Sequence, residues 1–528
     1  MIFLEKRCLG ELALGAAEKY KTKTAFQIYR DCGVYGQLSY RDFGIKARQF
    51  AGFLMDKGLR PGDRVMILSE NRPEWPVAYF GAALAGTVSV PVLVDFIGDQ
   101  IKTIADHSGV SLVCYTERTA PKLDEARIPR EISIQLDDPG LFDRLRKPDD
   151  SEFPEVTEQD PASIVYTSGT AGSSKGAALS HRNLLFTAQA SRSLMKIFSR
   201  DRLLSVIPLA HTYECSLGLL TAVMSGASVT YLDKPPSPAV LLPAMKILRP
   251  TAMVSVPLFI EKICRSRIFP ELEKNPLYRF PLTRFIAVKA AGDKLMAALG
   301  SSLRLFGIGG APLAEDVERF LRKTGFPYSP GYGLTETSPL VAGTAPYKFP
   351  FRSAGSVVKG VKVRISAEGE IQVQGPNVMM GYYRDEERTK EAFTEDGWLK
   401  TGDLGSMDKK GRLYIRGRLK ALILGPSGEN IYPEEIENIL YDSQLVEDAL
   451  VVPGEKGELV ALIVLNEKAR TMLAAIGDNL EALKNSVNKR LAAFSRLNRI
   501  EVQQEPFEKT PTQKIKRFLY PKRENKKA

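Results

Sequence analysis

The chain has 528 residues, 44% hydrophobic and 26% charged. This ordinary globular composition excludes a wholly disordered chain, a collagen and a small disulfide scaffold. Lys and Arg (73) outnumber Asp and Glu (62), a net charge of +11, which suits anionic partners such as nucleotides, coenzymes, acidic proteins or membrane surfaces.

At the start, Met1-Ile-Phe-Leu is followed at once by Glu5, Lys6 and Arg7, the reverse of a secretory signal, whose charges precede a longer apolar core. Cys8, Cys32, Cys114, Cys215 and Cys264 are scattered without a C-x-x-C pair, and His107, His181 and His211 do not cluster. Neither a disulfide framework nor a zinc or histidine metal site is expected, and the thiols fit a reducing compartment. Trp75 to Val94 carries no charge and is long enough to span a bilayer. Pro76 and Pro91 bracket it, and it reads better as a buried helix to Ala85 followed by the strand TVSVPVLV. A soluble, cytoplasmic protein is expected.

From about residue 40 to 330, helical patterns alternate with the apolar runs DRVMIL (63–68), GVSLVCY (109–115), ASIVYT (162–167), DRLLSVIPL (201–209) and TAMVSVP (251–257). Such alternation predicts a parallel, helix-covered α/β sheet. The acidic, Pro-containing stretch PDDSEFPEVTEQDP (148–161) reads as an exposed linker. From about 355 to 416, VKVRIS, GEIQVQG and GRLYIRG predict antiparallel strands or a small barrel-like part, with DKKG (408–411) as a turn. After Gly417 a smaller α+β unit begins. Its first helix is predicted at YPEEIENIL (432–440), with Pro433 at the first helical position, Glu434 and Glu435 at the positive terminus, and Ile436, Ile439 and Leu440 facing the core. DALVVPG, ELVALIVL and a helix from about 479 to 493 complete it. The fold class is therefore α/β, a large N-terminal domain (1–417) followed by a small α+β domain. Lys514 to Ala528 carries seven basic residues and one acid. It reads as a solvated tail that suits contact with anionic lipid or an acidic carrier.

The strongest chemical signal is YTSGTAGSSKGAALSH (166–181). An apolar strand feeds a Gly/Ser/Thr loop, and a helix is predicted to begin near Ser180. Small residues let backbone N–H groups and hydroxyls approach an anion, and Lys175 adds a compact positive charge. The spacing is not that of a Walker A loop, because Ser174 precedes the lysine and Gly176 follows it. Four further segments stand out. GIGGAPL (307–313) offers backbone to a planar ring. GYGLTETSP (331–339) offers the aromatic Tyr332 with Thr335 and Glu336, suited to phosphate and Mg²⁺. GWLKTGDLG (397–405) places Asp403 in a predicted tight turn where a carboxylate could accept ribose hydroxyls. KTPTQKIKR (509–517) places Lys514 in a polar loop.

In this order, YTSGTAGSSKG, GYGLTETSP, KTGDLG, GRLKALI and TPTQKIKR resemble the adenylate-forming enzymes: acyl-CoA synthetases, luciferases and nonribosomal peptide adenylation domains. PLAHTYE (208–214) and SVPLFIEKI (255–263) are similar to the long-chain fatty acyl-CoA synthetase branch. The resemblance implies an ATP- and Mg²⁺-dependent ligase that forms an acyl-adenylate and then a thioester with coenzyme A. By the same resemblance Thr167, Ser168, Gly169, Thr170 and Lys175 hold the β- and γ-phosphates. Glu336 and Thr170 hold Mg²⁺, and Thr335 contacts the α-phosphate. Tyr332 stacks on adenine beside Gly309, Gly310 and Ala311, while Asp403 and Arg418 hold the ribose. Lys514 bridges carboxylate and α-phosphate, and His211 lies beside the acyl pocket. Residues 418–420 form a hinge at Lys420, the C-terminal domain (421–528) is mobile, and Gly428 lies on its face for the thiol step.

The family's loop commonly has Thr at Ala171 and Pro at Ser174; Gln513 and Ala421 also depart from its pattern. None removes a group the chemistry needs. Two alternatives stay open: a ligase passing its acyl group to a separate acyl carrier protein, and a non-catalytic nucleotide- or lipid-binding homologue. No nucleic-acid motif accompanies the charge. The basic C-terminus suits a peripheral contact with the inner face of a membrane.

Overall fold

The computed structural model describes residues 7–167, 175–424, 430–443, 445–454, 458–470, 476–509 and 515–520. Two sheets dominate. In the larger, the strand order is 362–365, 370–374, 399–407, 412–418, 355–357, 342–343, 328–332, 305–308, 252–255, 202–204, 228–232, 24–30 and 33–39. The run from 24–30 through 328–332 is parallel. The strands of 342–418 continue it as an antiparallel wing. The expected barrel-like part is thus an extension of the main sheet. The second sheet runs 381–382, 175–180, 161–167, 88–92, 64–68, 110–115 and 133–135.

The helices Leu9–Tyr20, Tyr40–Asp56, Glu74–Leu84 and His181–Met195 share one core with Phe26, Val229 and Tyr231 of the larger sheet and Val65, Ile67 and Val165 of the smaller. This placement explains the uncharged stretch at 75–94. Every residue from Trp75 to Leu84 is buried, as a helix without a polar face must be, and Val88–Val92 is a wholly buried strand. Among the described residues no helix is long and apolar enough to cross a membrane.

Two boundaries differ from expectation, each because an asparagine takes over the backbone. The strand predicted over 201–209 spans only Arg202–Leu204. Asn71 Nδ2 donates to Ser205 Oγ (3.0 Å) and the Ile207 carbonyl (2.7 Å), and its Oδ1 accepts from Leu209 N (2.7 Å). These bonds satisfy the backbone outside a ladder. The helix expected over 479–493 spans Ile476–Asn488. It stops where Asn488 bonds both the N–H (2.8 Å) and the carbonyl (2.9 Å) of Leu497.

The C-terminal unit holds antiparallel strands Val446–Pro453 and Leu459–Leu465, with Arg499–Gln503 parallel to the second. The period-two alternation of a strand divides its side chains between two cores. Ala449, Val451, Ala461 and Ile463 pack with Ile436 and Leu440 of the helix Pro433–Tyr441. Leu450, Val452, Leu462 and Val464 pack with Phe507. Half of the acidic stretch at 148–161 is exposed and most of the rest half-buried, and it is tied down by Arg48 Nε to Asp150 Oδ1 (2.6 Å).

Candidate active site

The phosphate loop joins strands Pro161–Thr167 and Lys175–Ser180, which pair antiparallel with Thr167 opposite Lys175. Ser168, Gly169 and Thr170 lie outside the described residues. Lys175 therefore opens a strand rather than sitting inside the loop. The alternation of KGAALS, with Ala177 and Leu179 fully buried, explains that strand. Ser180 then caps the helix His181–Met195 where predicted, accepting from Asn183 N (3.2 Å) while Asn183 Oδ1 accepts from Ser180 N (2.8 Å).

Lys175 is joined to Glu336 by a residue that sequence reasoning missed. Strand Gly381–Tyr382 adds to the edge of Lys175–Ser180. Lys175 Nζ sits 4.9 Å from the centre of the Tyr382 ring, a cation–π contact. The Tyr382 hydroxyl donates to Glu336 Oε1 at 2.9 Å. Burial, then the neighbouring Glu336, drives the Tyr382 pKa upward, so it remains a neutral donor. Glu336 lies in the short turn Thr335–Thr337. Its backbone carbonyl accepts from Met379 N (2.9 Å), which holds the turn that carries the carboxylate.

On the other side of the cleft, Tyr332, Asp403 and Arg418 form one network. Asp403 is 5% exposed. It accepts from the Tyr332 hydroxyl through Oδ2 (2.7 Å) and pairs with Arg418 Nε through Oδ1 (2.8 Å). The predicted tight turn is not there: Asp403 lies within strand Leu399–Met407, directly opposite Arg418 in the ladder. The glycines serve that strand, Gly402 by its φ of +69° and Gly405 beside a register shift. Burial opposes the charge on Arg418, but Asp403 and then Tyr332 more than offset it. Gly333 has no substitute, since a Cβ there would fall 1.6 Å from the Pro339 carbonyl oxygen. Gly309, Gly310 and Ala311 follow the parallel strand Leu305–Ile308, at the carboxyl end where open α/β sheets hold ligands.

His211 faces the same cleft, its Nδ1 accepting from Tyr213 N at 3.2 Å. The apolar side chains of Leu194, Met195, Val206, Leu217, Val254 and Leu340 line the same cleft. Next along the chain, Glu214 begins the π-helix Glu214–Leu220 and is 2% exposed. Burial raises its pKa to about 8, so it is largely protonated at neutral pH. In the unfolded chain it ionises near 4.5. The folded state therefore holds an extra proton between these values, and stability falls as pH rises from 4.5 to 8, by up to about 5 kcal/mol. We expect Glu214→Gln to remove this slope, so that its gain in melting temperature over the parent grows from pH 5 to 8.5. A difference independent of pH in thermal melts would contradict the assignment.

Lys175, His211, Gly309, Gly310, Ala311, Tyr332, Thr335, Glu336, Asp403, Arg418 and Lys420 all line one cleft of about 4240 Å³. This far exceeds a single small-ligand pocket of about 300–1,000 Å³, leaving room for a nucleotide, an apolar chain and a further co-substrate. Lys420 is exposed in the turn Leu419–Ala421 that follows strand Arg412–Arg418. The C-terminal unit forms part of the wall: Glu434 Oε2 would lie 3.2 Å from a Cβ at Gly417. Gly428 and Lys514 lie outside the described residues. The residues flanking the Lys514 segment are anchored, with Lys509 and Ile515 bridged antiparallel, Lys509 paired with Asp448 (2.7 Å) and Arg517 paired with Glu437.

Comparison with known proteins gives the family of the chain. The AMP-binding enzyme family matches residues 15–383, and the AMP-binding enzyme C-terminal domain matches residues 421–523. The chain belongs to the AMP-binding enzyme family, as its motifs implied. Among its relatives is the long-chain-fatty-acid–CoA ligase FadD15 of Mycobacterium bovis, 31% identical over 92% of this chain and 90% of the relative. Another is the long-chain-fatty-acid–CoA ligase heimdall of Drosophila melanogaster, 29% identical over 85% of this chain and 74% of the relative. Among solved structures, O-succinylbenzoate coenzyme A synthetase from Bacillus subtilis, in complex with ATP and magnesium ion, superimposes with a TM-score of 0.77 at 25% identity, covering 96% of this chain and 98% of that one.

Proposed function

We propose that this enzyme is an AMP-forming fatty acid–CoA ligase. The observation that carries the reading is one cleft lined by Lys175 and Glu336, which meet at Tyr382, by an Asp403–Arg418–Tyr332 network, and by His211 with several apolar side chains. The long-chain-fatty-acid–CoA ligases among its relatives support it. In the first step a carboxylate oxygen bonds to the α-phosphorus of ATP, the α–β phosphoanhydride breaks and pyrophosphate leaves. In the second, the thiol of coenzyme A attacks the acyl carbon, AMP leaves and the thiol proton passes to solvent.

In this reading Lys175 and the loop residues Thr167, Ser168, Gly169 and Thr170 hold the β- and γ-phosphates. Thr335 contacts the α-phosphate. One Glu336 oxygen is engaged by Tyr382, and a single carboxylate together with substrate phosphates is the donor set that suits Mg²⁺. Glu336 and Thr170 would hold that ion, which supplies charge neutralisation at the triphosphate. Tyr332, Gly309, Gly310 and Ala311 frame the adenine. Asp403 accepts from the ribose beside Arg418, and His211 borders the acyl chain. The large domain would end at 417, with residues 418–420 as the hinge on which 421–528 turns, and Gly428 on the face presented for the thiol step. We assign the acceptor to coenzyme A; a carrier protein in its place is read out by acceptor dependence of thioester formation.

Lys514 neutralises charge that gathers as carboxylate meets α-phosphate. Lys514→Ala should slow adenylation about 100- to 1,000-fold while sparing thioester formation from supplied acyl-adenylate. Equal loss in the two half-reactions would remove Lys514 from this role.

A further inference from the structure

The rim of the cleft carries a feature that ligase chemistry does not use. Residues 274–289 (KNPLYRFPLTRFIAVK) contain Lys274, Arg279, Arg284 and Lys289 and no acid. Leu277, Phe280, Leu282, Phe285 and Ile286 are exposed by 43, 65, 88, 70 and 46%. Scattered exposed apolar residues are ordinary, but large ones massed in one short segment mark an interaction site.

The segment is held in place. The helix Arg284–Ala298 buries Ala287, Ala291 and Leu295, and its Gly292 lies against Thr324. Ahead of it, Thr283 Oγ1 donates to the Leu277 carbonyl (2.8 Å), and Asn275 Oδ1 accepts from Leu277 N (3.0 Å). Phe285 and Ile286 thus stand exposed in the first turn of a helix that is seated through Ala287, Ala291, Gly292 and Leu295. The patch also continues inward, since Tyr278, Arg284 and Val288 line the cleft.

We propose that residues 277–286 dock the enzyme on an anionic bilayer. Phe280, Leu282 and Phe285 enter the acyl boundary, while Lys274, Arg279, Arg284 and Lys289 lie at the level of the lipid phosphates. Charge selects this occupant: cations alternate with apolar side chains and no acid interrupts them, which is the pattern of interfacial anchors. A second role, passage of membrane-dissolved acid along Tyr278 and Val288 into the cleft, rests on the fatty acyl reading above. Vesicle binding does not. The element is distinct from the basic C-terminal tail.

The test is flotation of the full chain with phosphatidylcholine vesicles, with and without phosphatidylglycerol. The parent should bind the anionic vesicles preferentially. Phe280→Ser/Leu282→Ser/Phe285→Ser should lower the partition coefficient about tenfold or more, and Lys274→Gln/Arg279→Gln should lower it only with phosphatidylglycerol present. Both variants alter exposed positions outside the cleft, so melting temperature and vesicle-free ATP–pyrophosphate exchange should stay at parental values. Changing Lys522, Arg523, Lys526 and Lys527 to Gln should leave most of the binding. Absence of vesicle binding, parental binding by the triple variant, or binding lost only with the tail changes would each overturn the proposal.

Discussion

Glu336→Gln should lower carboxylate-dependent ATP–pyrophosphate exchange about 100- to 1,000-fold. The substitution is chosen for its geometry. Glutamine keeps an oxygen where the Tyr382 hydroxyl donates at 2.9 Å, so the contact between strand Gly381–Tyr382 and the turn Thr335–Thr337 survives. What disappears is one negative charge beside Tyr382 in the cleft. The variant should melt like the parent and need more Mg²⁺ to reach its residual rate, because the triphosphate then carries the ion with one anionic ligand fewer. Parental exchange at limiting Mg²⁺ would show that Glu336 only positions Tyr382.

The second large effect is expected at Asp403. Its two oxygens accept from Tyr332 and Arg418, and in the proposed reading they also accept from the ribose, so Asp403→Ala would remove that acceptor along with the partner of Arg418. A hydrogen bond to a charged group contributes about 1.5–3 kcal/mol, so the pair of ribose contacts sets an expected loss of about 100-fold or more in kcat/KM for ATP. Melting temperature separates this from a folding defect. The specific readout is a cycle with deoxy-ATP. In the parent, removal of a ribose hydroxyl should cost as much as losing its contact. In Asp403→Ala that second penalty should vanish, because the two changes delete the same interaction. Additive penalties would place the ribose elsewhere.

What the sequence could disclose depended on whether a feature is local. YTSGTAGSSKG, GYGLTETSP and KTGDLG were legible as motifs of the family because residue type and order are local. The setting of Asp403 was not: two flanking glycines read as a turn, and only pairing with Arg412–Arg418 shows a strand that brings Arg418 opposite. Tyr382 gave no signal, since its contact with Glu336 needs the edge pairing of 381–382 with 175–180. The end of the strand at Leu204 was hidden for the same reason, depending on Asn71 across the fold. Glu214 lay within a segment read for its resemblance, but its burial could not be seen there. The segment around Phe280 carries no motif in the sequence, and only the 65% exposure of Phe280 singles it out.

The measurement that bears most directly on the account is carboxylate-dependent exchange of labelled pyrophosphate into ATP, with short, medium and long fatty acids and one aromatic acid. Exchange with fatty acids that requires Mg²⁺ is expected, followed by thioester formation when coenzyme A is added. An enzyme that binds ATP yet supports exchange with none of these acids would contradict it.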